Sequence, residues 1–562
     1  MNKKWEFFNS DETLVKKIAE KHNVSELLAT VLINRGIIED EQIKIFLNPT
    51  RNDFHDPYLM PDMELAVNRI LKAIEKQEKT MIYGDYDVDG ITSITVLSKF
   101  LKERGLETGF YIPNRLDEGY GLNKNAIKKI ADEGYKLIIT VDCGISGTEE
   151  IKYAYELGME VIVTDHHEPL EELPKAVAVI DCKRKDNTYP FNSLAGVGVA
   201  FKLIQAIGMK LKIDEKEYLK YLDIVCIGTI SDIVPLIDEN RVIGKLGLKL
   251  VEQTKSPGLK ALLKVANYKE VNSSAISFGI APRINACGRK GHAEDALKLF
   301  LTENIVEAGT ITSILDKYNK ERQDIDRRIY EEAFQKIETN NLDKNNAIVI
   351  GEEGWHHGVI GIVASKITDL YYKPSILICF EGESGKGSGR SIPGFDLHEA
   401  LCQSSNYLEK YGGHEMAVGL SLEKSKFQEF IKEFEEIAKA ANIEDFVSVV
   451  NLDKEITLKD LNIENIRSLK LLEPFGEANK TPIFIYRNLK IDSIRALSEG
   501  KHLKLTLKDG NTIINSIGFN MGKYSEEFLI GDKIDVIGTL EINTFNGIDM
   551  IQINMKDIRK SY

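Results

Sequence analysis

MIYGDYDVDG, residues 81–90, is an apolar β-like run that ends in three alternating carboxylates, Asp85, Asp87 and Asp89. The same pattern recurs in KLIITVDCG (136–144), which ends on Asp142, and in EVIVTDHHE (160–168) with its paired imidazoles. CIGTISDIVPL (226–236) adds Asp232 on a stretch that reads as helix. The C-terminal ends of parallel strands line up along one sheet edge, where ligands of open α/β folds bind. Carboxylates gathered at such an edge repel one another strongly unless a cation neutralises them. Carboxylates with one or two imidazoles suit magnesium or manganese, whereas zinc favours Cys and His. A metal-dependent site acting on phosphate esters is therefore expected.

Outward from these runs, strands and helices alternate from about residue 63. In ITSITVLSKFLKERG, Ile91, Ile94, Leu97, Phe100 and Leu101 fall at helical spacing. The alternation implies an α/β fold with a largely parallel sheet flanked by helices. Residues 193–263 read as mostly helical, and the charged segment 304–338, without Pro or any Gly after 309, reads as a long bridging helix exposed on much of its circumference. A second, smaller α/β unit starts near 346, with two Gly-rich loops and a closing helix near 441. From about 446, short strands separated by Gly/Asn/Asp turns suggest a small β-barrel of the oligonucleotide-binding (OB) kind. The expected division is an N-terminal helical segment and connector (1–62), a catalytic α/β domain (63–303), the bridging helix (304–341), the second α/β domain (342–445) and the barrel (446–562).

Composition bounds the class of protein. The 562 residues are 43% hydrophobic, and nothing approaches an 18-residue apolar run. The start, MNKKWEFFNSDETLVKK, lacks the apolar stretch of a signal peptide. Six scattered cysteines, never as CxxC, suit a reducing compartment, so a soluble cytoplasmic protein without membrane attachment is expected. A net charge of −14 speaks at first sight against nucleic acid, yet a groove needs only local basicity. Segment 480–508 carries Lys480, Arg487, Lys490, Arg495, Lys501, Lys504 and Lys508 against Asp492 and Glu499, and segment 282–293 carries Arg283, Arg289 and Lys290 with no acid. A solvated basic face is the plain alternative for either segment alone.

Each motif has a plainer reading. DYDVDG mimics the start of a calcium-binding EF-hand loop, but with Asp85 as position 1 the twelfth position is Val96 rather than the required Glu, and a strand precedes it. A helix-capping turn explains one aspartate and not three. VDCG alone is common loop chemistry, whereas two imidazoles beside a carboxylate at 165–167 seldom arise from packing. Asp232 among Ile227, Ile230, Ile233 and Val234 is costly to bury unpaired, and a helix-surface position is its alternative. In GSGRS (387–391), Arg390 on a Gly-flanked turn with Ser388 suits a phosphate; in YGGH (411–414), glycines let a strand approach near His414. Glycines that merely serve turns are the alternative for each.

Taken in order, GDYDVDG, VDCG, TDHH and SDIVPL resemble the four motifs of the DHH phosphoesterase superfamily. Downstream, PRINACGR, GWHHGVIGIVAS, GSGRSIPGFDLHEAL and YGGHEMAVGL resemble the RecJ family of single-strand-specific 5′→3′ DNA exonucleases, so the likeness runs over roughly 40–560. Cys287 stands where that family more often has a small residue such as Ala. The resemblance implies a DHH domain, a DHHA1 domain and a C-terminal OB barrel. It implies one or two Mn2+ or Mg2+ ions held by Asp85, Asp87, Asp89, Asp142, His166 and Asp232, with Asp142 as bridge. Asp142, His166 and His167 would carry catalysis, His167 at the scissile phosphate. Arg289, Ser388 and Arg390 would hold the 5′-terminal phosphate, with Arg283, Asn285 and His414 as further substrate contacts. The reaction would release 5′-mononucleotides from one strand, in DNA repair and recombination. A channel between the two α/β domains would admit a single strand and not a duplex. The basic barrel would hold the strand farther along, with Phe484 and Tyr486 as stacking platforms, and Trp355 would stack or plug a seam. A monomer working with a single-strand-binding protein and a helicase is implied. The rivals are a DHH phosphodiesterase for short oligonucleotides or cyclic dinucleotides, against which the barrel argues, and an inactive replication scaffold, which should have lost metal ligands.

Overall fold

The computed structural model describes residues 3–114, 118–443, 446–545 and 547–561; the expected boundary at 445 falls outside them. The chain forms two units, one of residues 5–285, 293–312 and 451–562, the other of residues 1–4, 286–292 and 313–450.

In the first unit, β1 (Thr80–Gly84), β2 (Thr108–Tyr111), β3 (Leu137–Val141), β4 (Glu160–Thr164) and β5 (Ala178–Ile180) form one parallel sheet in the order β2-β1-β3-β4-β5. β1 and β3 are buried throughout, which is why both read as unbroken apolar runs. Gly84, Val141 and Thr164 stand level across β1, β3 and β4, and Thr164 is level with Ile180 of β5. The next residue of each strand is thus an aspartate in the same row: Asp85, Asp142, Asp165 and Asp181. Helix α1 (Val88–Glu103) starts three residues before the run ITSITV, because Asp87 caps it, and is buried from Val88 to Leu97. It packs against α2 (Gly196–Leu211) and α3 (Leu222–Ser231), and α4 (Asp238–Glu252) packs on α3.

Helix α5 spans Ile305–Thr339, and its second half buries Ile329, Ala333 and Ile337 in the core of the second unit. That unit's sheet has the order β9-β10-β8-β7-β6, built from β6 (Ile348–Glu353), β7 (Ser375–Glu381), β8 (Ser384–Arg390), β9 (Lys410–His414) and β10 (Ala417–Glu423). Only β6 and β7 pair in parallel. The stretches expected as Gly-rich loops are therefore strands. Their glycines make room for neighbours: a Cβ at Gly387 would stand 2.9 Å from Leu420 Cδ1, and one at Gly389 would stand 2.8 Å from Val418 Cγ2. Helix α6 (His357–Tyr371) packs on β7 and β8. Trp355 is buried in this core and donates Nε1–H to Glu332 at 2.7 Å, so it is no stacking surface.

The C-terminal barrel comprises β11 (Phe484–Leu497), β12 (His502–Asp509), β13 (Thr512–Gly518), β14 (Lys533–Phe545) and β15 (Ile548–Lys560), and the β11–β14 pairing closes it. Phe484 and Tyr486 are 1% and 4% exposed inside it, and the Tyr486 hydroxyl donates to Asp509. This overturns the expectation that they stack on bases: the period-2 pattern turns them inward. The N-terminal helices Glu12–His22, Glu26–Asn34 and Asp40–Leu47 belong to the same hydrophobic core, with Leu28, Leu32 and Phe46 joining Ile466, Leu469 and Phe484. No helix among the described residues is long and apolar enough to cross a membrane.

Candidate metal centre

The row of strand ends and three helix termini bring the expected ligands together. Asp85 follows β1 and is 5% exposed. Asp87 caps α1, accepting from Gly90 N at 3.0 Å. Asp89, in the first turn of α1, accepts from Gly196 N at 2.6 Å and Val197 N at 2.8 Å, the N-terminal amides of α2. Asp142 leaves β3 at φ +58°, and Asp232 ends α3. Oxygen atoms of Asp85, Asp87 and Asp142 lie within 4.8 Å of one another, as do ligand atoms of Asp89, His166 and Asp232 and those of Asp142, His166 and His167. His166 Nε2 stands 3.1 Å from Asp142 Oδ1, 3.7 Å from Asp232 Oδ2 and 3.9 Å from Asp89 Oδ2. Asp142 therefore belongs to two of these three groups, and through His166, 3.1 Å away, it adjoins the third.

Burial and mutual repulsion push the Asp89 and Asp142 carboxyls well above their ordinary range, and burial with the Asp87 charge raises Asp232 to about 7. Burial and the neighbouring His167 lower His166 to about 4, which leaves its imidazole neutral. The buried His166 Nε2 has no hydrogen-bond partner although carboxylates surround it, while its ring also bonds the backbone of Leu194. Lone pairs aimed at one another from a histidine anchored by its backbone contact are what a hard divalent cation resolves. The donor set fits Mn2+ or Mg2+.

His167 is placed by Asp165, which lies inside the TDHH motif without an expected role, and by Tyr120, which no motif includes. Asp165 Oδ1 accepts from His167 Nδ1 at 2.7 Å and from the His166 amide at 2.8 Å, while Oδ2 accepts from Ile145 N at 2.9 Å. Burial disfavours the His167 cation, but the bond and charge of Asp165 outweigh it and raise the imidazole above its ordinary value. Tyr120 donates to the Asp142 carbonyl at 3.3 Å and lies 3.1 Å from His167 Nδ1. Asp181 is fully buried, with Oδ2 unpartnered, and burial raises it to about 7. AVIDC (178–182) has the same ending as β1, β3 and β4, but three strand residues are too few to read as a strand from sequence. Gly196 admits α2 to the site, since a Cβ there would stand 2.6 Å from Asp142 Cβ.

The expected substrate contacts divide between the units. Arg283 and Asn285 lie in the first, on the helix Ala281–Arg289, where Arg283 Nη1 donates to Gly279 O. Arg289, Ser388, Arg390 and His414 lie in the second. There Arg289 Nη1 donates to Gly358 O at 2.6 Å in the first turn of α6, and Arg390 Nη1 donates to Ser388 Oγ at 3.2 Å. A Cβ at Gly361 would meet Ser388 Oγ at 2.9 Å and Arg390 Nη2 at 3.2 Å, so both face the same early turns of α6. Arg390 sits at the end of a strand rather than on a turn, makes no ion pair among the described residues, and is lowered by burial. His414 is exposed on β9, level with Ala417, which is level with Arg390.

Comparison with known proteins agrees. The DHH family N-terminal domain matches residues 79–229, the DHHA1 domain 344–440 and the RecJ OB domain 452–557. The chain is 40% identical over 560 residues to the single-stranded-DNA-specific exonuclease RecJ of Bacillus subtilis, covering 99% of this chain and 70% of that protein. The structure of Thermus thermophilus RecJ in complex with Mn2+ superposes with a TM-score of 0.87 at 29% identity, over 100% of this chain and 80% of that one. RecJ of the same organism in complex with Mg2+ gives 0.79 at 27% identity, over 100% and 79%. On this agreement in sequence, domain order and fold, the chain belongs to the RecJ family.

Proposed function

We infer that this protein is a metal-dependent exonuclease that hydrolyses phosphodiesters of single-stranded DNA, working from the 5′ end and releasing 5′-mononucleotides. The observation that carries the reading is the run of three overlapping donor groups linked through Asp142 and His166, with His166 Nε2 partnerless among carboxylates. Asp85, Asp87, Asp89, Asp142, His166 and Asp232 are the residues proposed to hold one or two Mn2+ or Mg2+ ions. Two such ions supply an activated water and charge stabilisation at the leaving oxygen of an in-line displacement. His167, fixed by Asp165 at Nδ1, would turn Nε2, which has the Tyr120 hydroxyl 3.4 Å away, to a phosphate oxygen. On the second unit, Arg289, Arg390 and Ser388 gather at the N-terminal turns of α6, where backbone amides and the helix dipole favour an anion. A 5′-terminal phosphate held there sets the polarity; Arg283, Asn285 and His414 are proposed as further strand contacts.

The enzyme is proposed to act in the cytoplasm as a monomer, in repair and recombination, on strands supplied by a helicase and coated by a single-strand-binding protein. Six unbridged cysteines, five of them buried, suit a reducing compartment. The test is digestion of 5′-labelled single and double strands with Mn2+ or with chelator. Mononucleotide release from single strands alone, abolished by chelator, is expected; release of the 3′-terminal nucleotide first would overturn the polarity.

A further inference from the structure

The turn that follows Asp232 is held from outside the α/β core. The Asp232 carboxylate accepts no hydrogen bond among the described residues, so the backbone alone aims it. That backbone continues through Ile233 at φ +62°, a left-handed value that a β-branched residue keeps only under constraint. The constraint comes from the segment leading into the barrel. Leu236 N donates to Glu477 O at 2.9 Å, and a Cβ on Gly476 would stand 2.6 Å from the Cδ1 of the buried Leu236. The segment is itself rigid: Asn479 Nδ2 donates to Leu472 O and Pro474 O at 2.8 Å, and Gly476 and Asn479 exchange backbone bonds. Helix α4 grips its start. Arg241 donates to the carbonyls of Leu471, Leu472 and Glu473 at 2.9–3.1 Å, and Lys245 Nζ donates to Glu473 O at 2.7 Å.

We propose that the loop 473–479 is a positioning element for Asp232, so that the C-terminal module tunes the metal centre in addition to holding the strand. The proposal rests on Asp232 being a metal ligand, as inferred above. Groups that orient a ligand typically alter metal affinity about 10- to 100-fold when removed, and here the orienting group is a backbone turn clamped between Gly476 and α4.

The test uses the full chain with Mn2+ alone and no nucleic acid. Bound Mn2+ is read from loss of the free-ion EPR signal for wild type, Gly476→Val, Gly476→Val with Leu236→Ala, and Asp232→Ala. Binding of a labelled oligothymidylate is read by anisotropy in EDTA. Gly476→Val, which drives a side chain into Leu236, should weaken Mn2+ binding about 10-fold or more while strand binding in EDTA is unchanged. Leu236→Ala, which makes room, should restore much of that loss. Gly476→Ala carries the same clash with fewer atoms and stands in if the Val variant fails to fold. Wild-type Mn2+ affinity in the Gly476 variants beside a weakened Asp232→Ala would overturn the brace, as would a loss that Leu236→Ala does not relieve. Wild-type affinity in Asp232→Ala would instead overturn the reading of Asp232 as a ligand.

Discussion

At the scale of single residues, the site concentrates charge that the fold alone cannot tolerate. Asp142 belongs to two of the three donor groups, so Asp142→Ala should abolish hydrolysis in Mn2+ while leaving the far-ultraviolet CD spectrum intact, because it removes a charge rather than packing. Adding His166→Ala to that variant should cost little more, since members of one catalytic unit are not additive. Turnover above a few per cent of wild type would overturn the proposal that Asp142 is shared between the ions. Arg390 offers a sharper test of specificity. It is half-buried without an ion pair among the described residues; Nη1 donates to Ser388 Oγ and Gly389 O, which leaves the charge itself to be met by an anion. Loss of a charge-assisted contact costs roughly 1.5–3 kcal/mol, or about 10- to 150-fold in kcat/KM. Arg390→Ala should therefore impair 5′-phosphorylated strands far more than 5′-hydroxyl strands, as initial rates on the two substrates will show. Equal losses would mean that Arg390 holds an internal phosphate or only supports β8.

At the scale of elements, the parallel sheet was legible because β1, β3 and β4 are buried on both faces and so read as continuous apolar runs ending in Asp. DYDVDG, VDCG, TDHH and SDIVPL marked the carboxylates because each sits at a strand or helix end. Asp181 was not legible, since β5 is only three residues long, and neither was Gly196, whose importance lies in a contact with Asp142 far away in the chain. The Gly-rich strands β8 and β9 were misread as loops because glycine usually signals turns; in β8 it serves close packing, and in β9 Gly413 takes a φ of +139°. The buried Asp181 gives this row of strand ends a pH signature. Its carboxyl is raised to about 7 by burial, so the folded state binds its proton more tightly than the unfolded chain does. The sign is the reverse of a salt-bridged carboxylate: stability contributed by this group falls as pH rises from the ordinary carboxyl range through 7. The full penalty is up to about 4 kcal/mol at 1.36 kcal/mol per unit. In EDTA, Asp181→Asn should gain steadily in melting temperature relative to wild type as pH rises from about 4 to 8. A melting difference that does not grow with pH would show that Asp181 is ionised throughout.

At the scale of the whole molecule, the barrel is wired into the rest of its unit. Its core takes in the N-terminal helices, and its leading loop braces the turn after Asp232, so deleting residues 450–562 would strip both supports at once. The role of the barrel in strand binding is better isolated on its surface. Two of the basic side chains there are already neutralised: Arg487 pairs with Glu455 and Asp535 at 2.9 and 3.1 Å, and Lys508 pairs with Asp492 at 2.6 Å. Arg495 and Lys504 are different. They stand directly opposite each other on β11 and β12, both are exposed, and neither has an ion pair among the described residues. Each phosphate neutralised on a single strand releases counterions and adds about 0.7 to the slope of log affinity against log salt. Arg495→Ala with Lys504→Ala should therefore weaken binding of a long oligothymidylate and flatten that slope by about 1.4, with Mn2+ binding unchanged. The same double substitution at Arg487 and Lys508 should flatten it much less, because those charges already have partners. An unchanged slope in the first variant would place the strand on another face of the barrel.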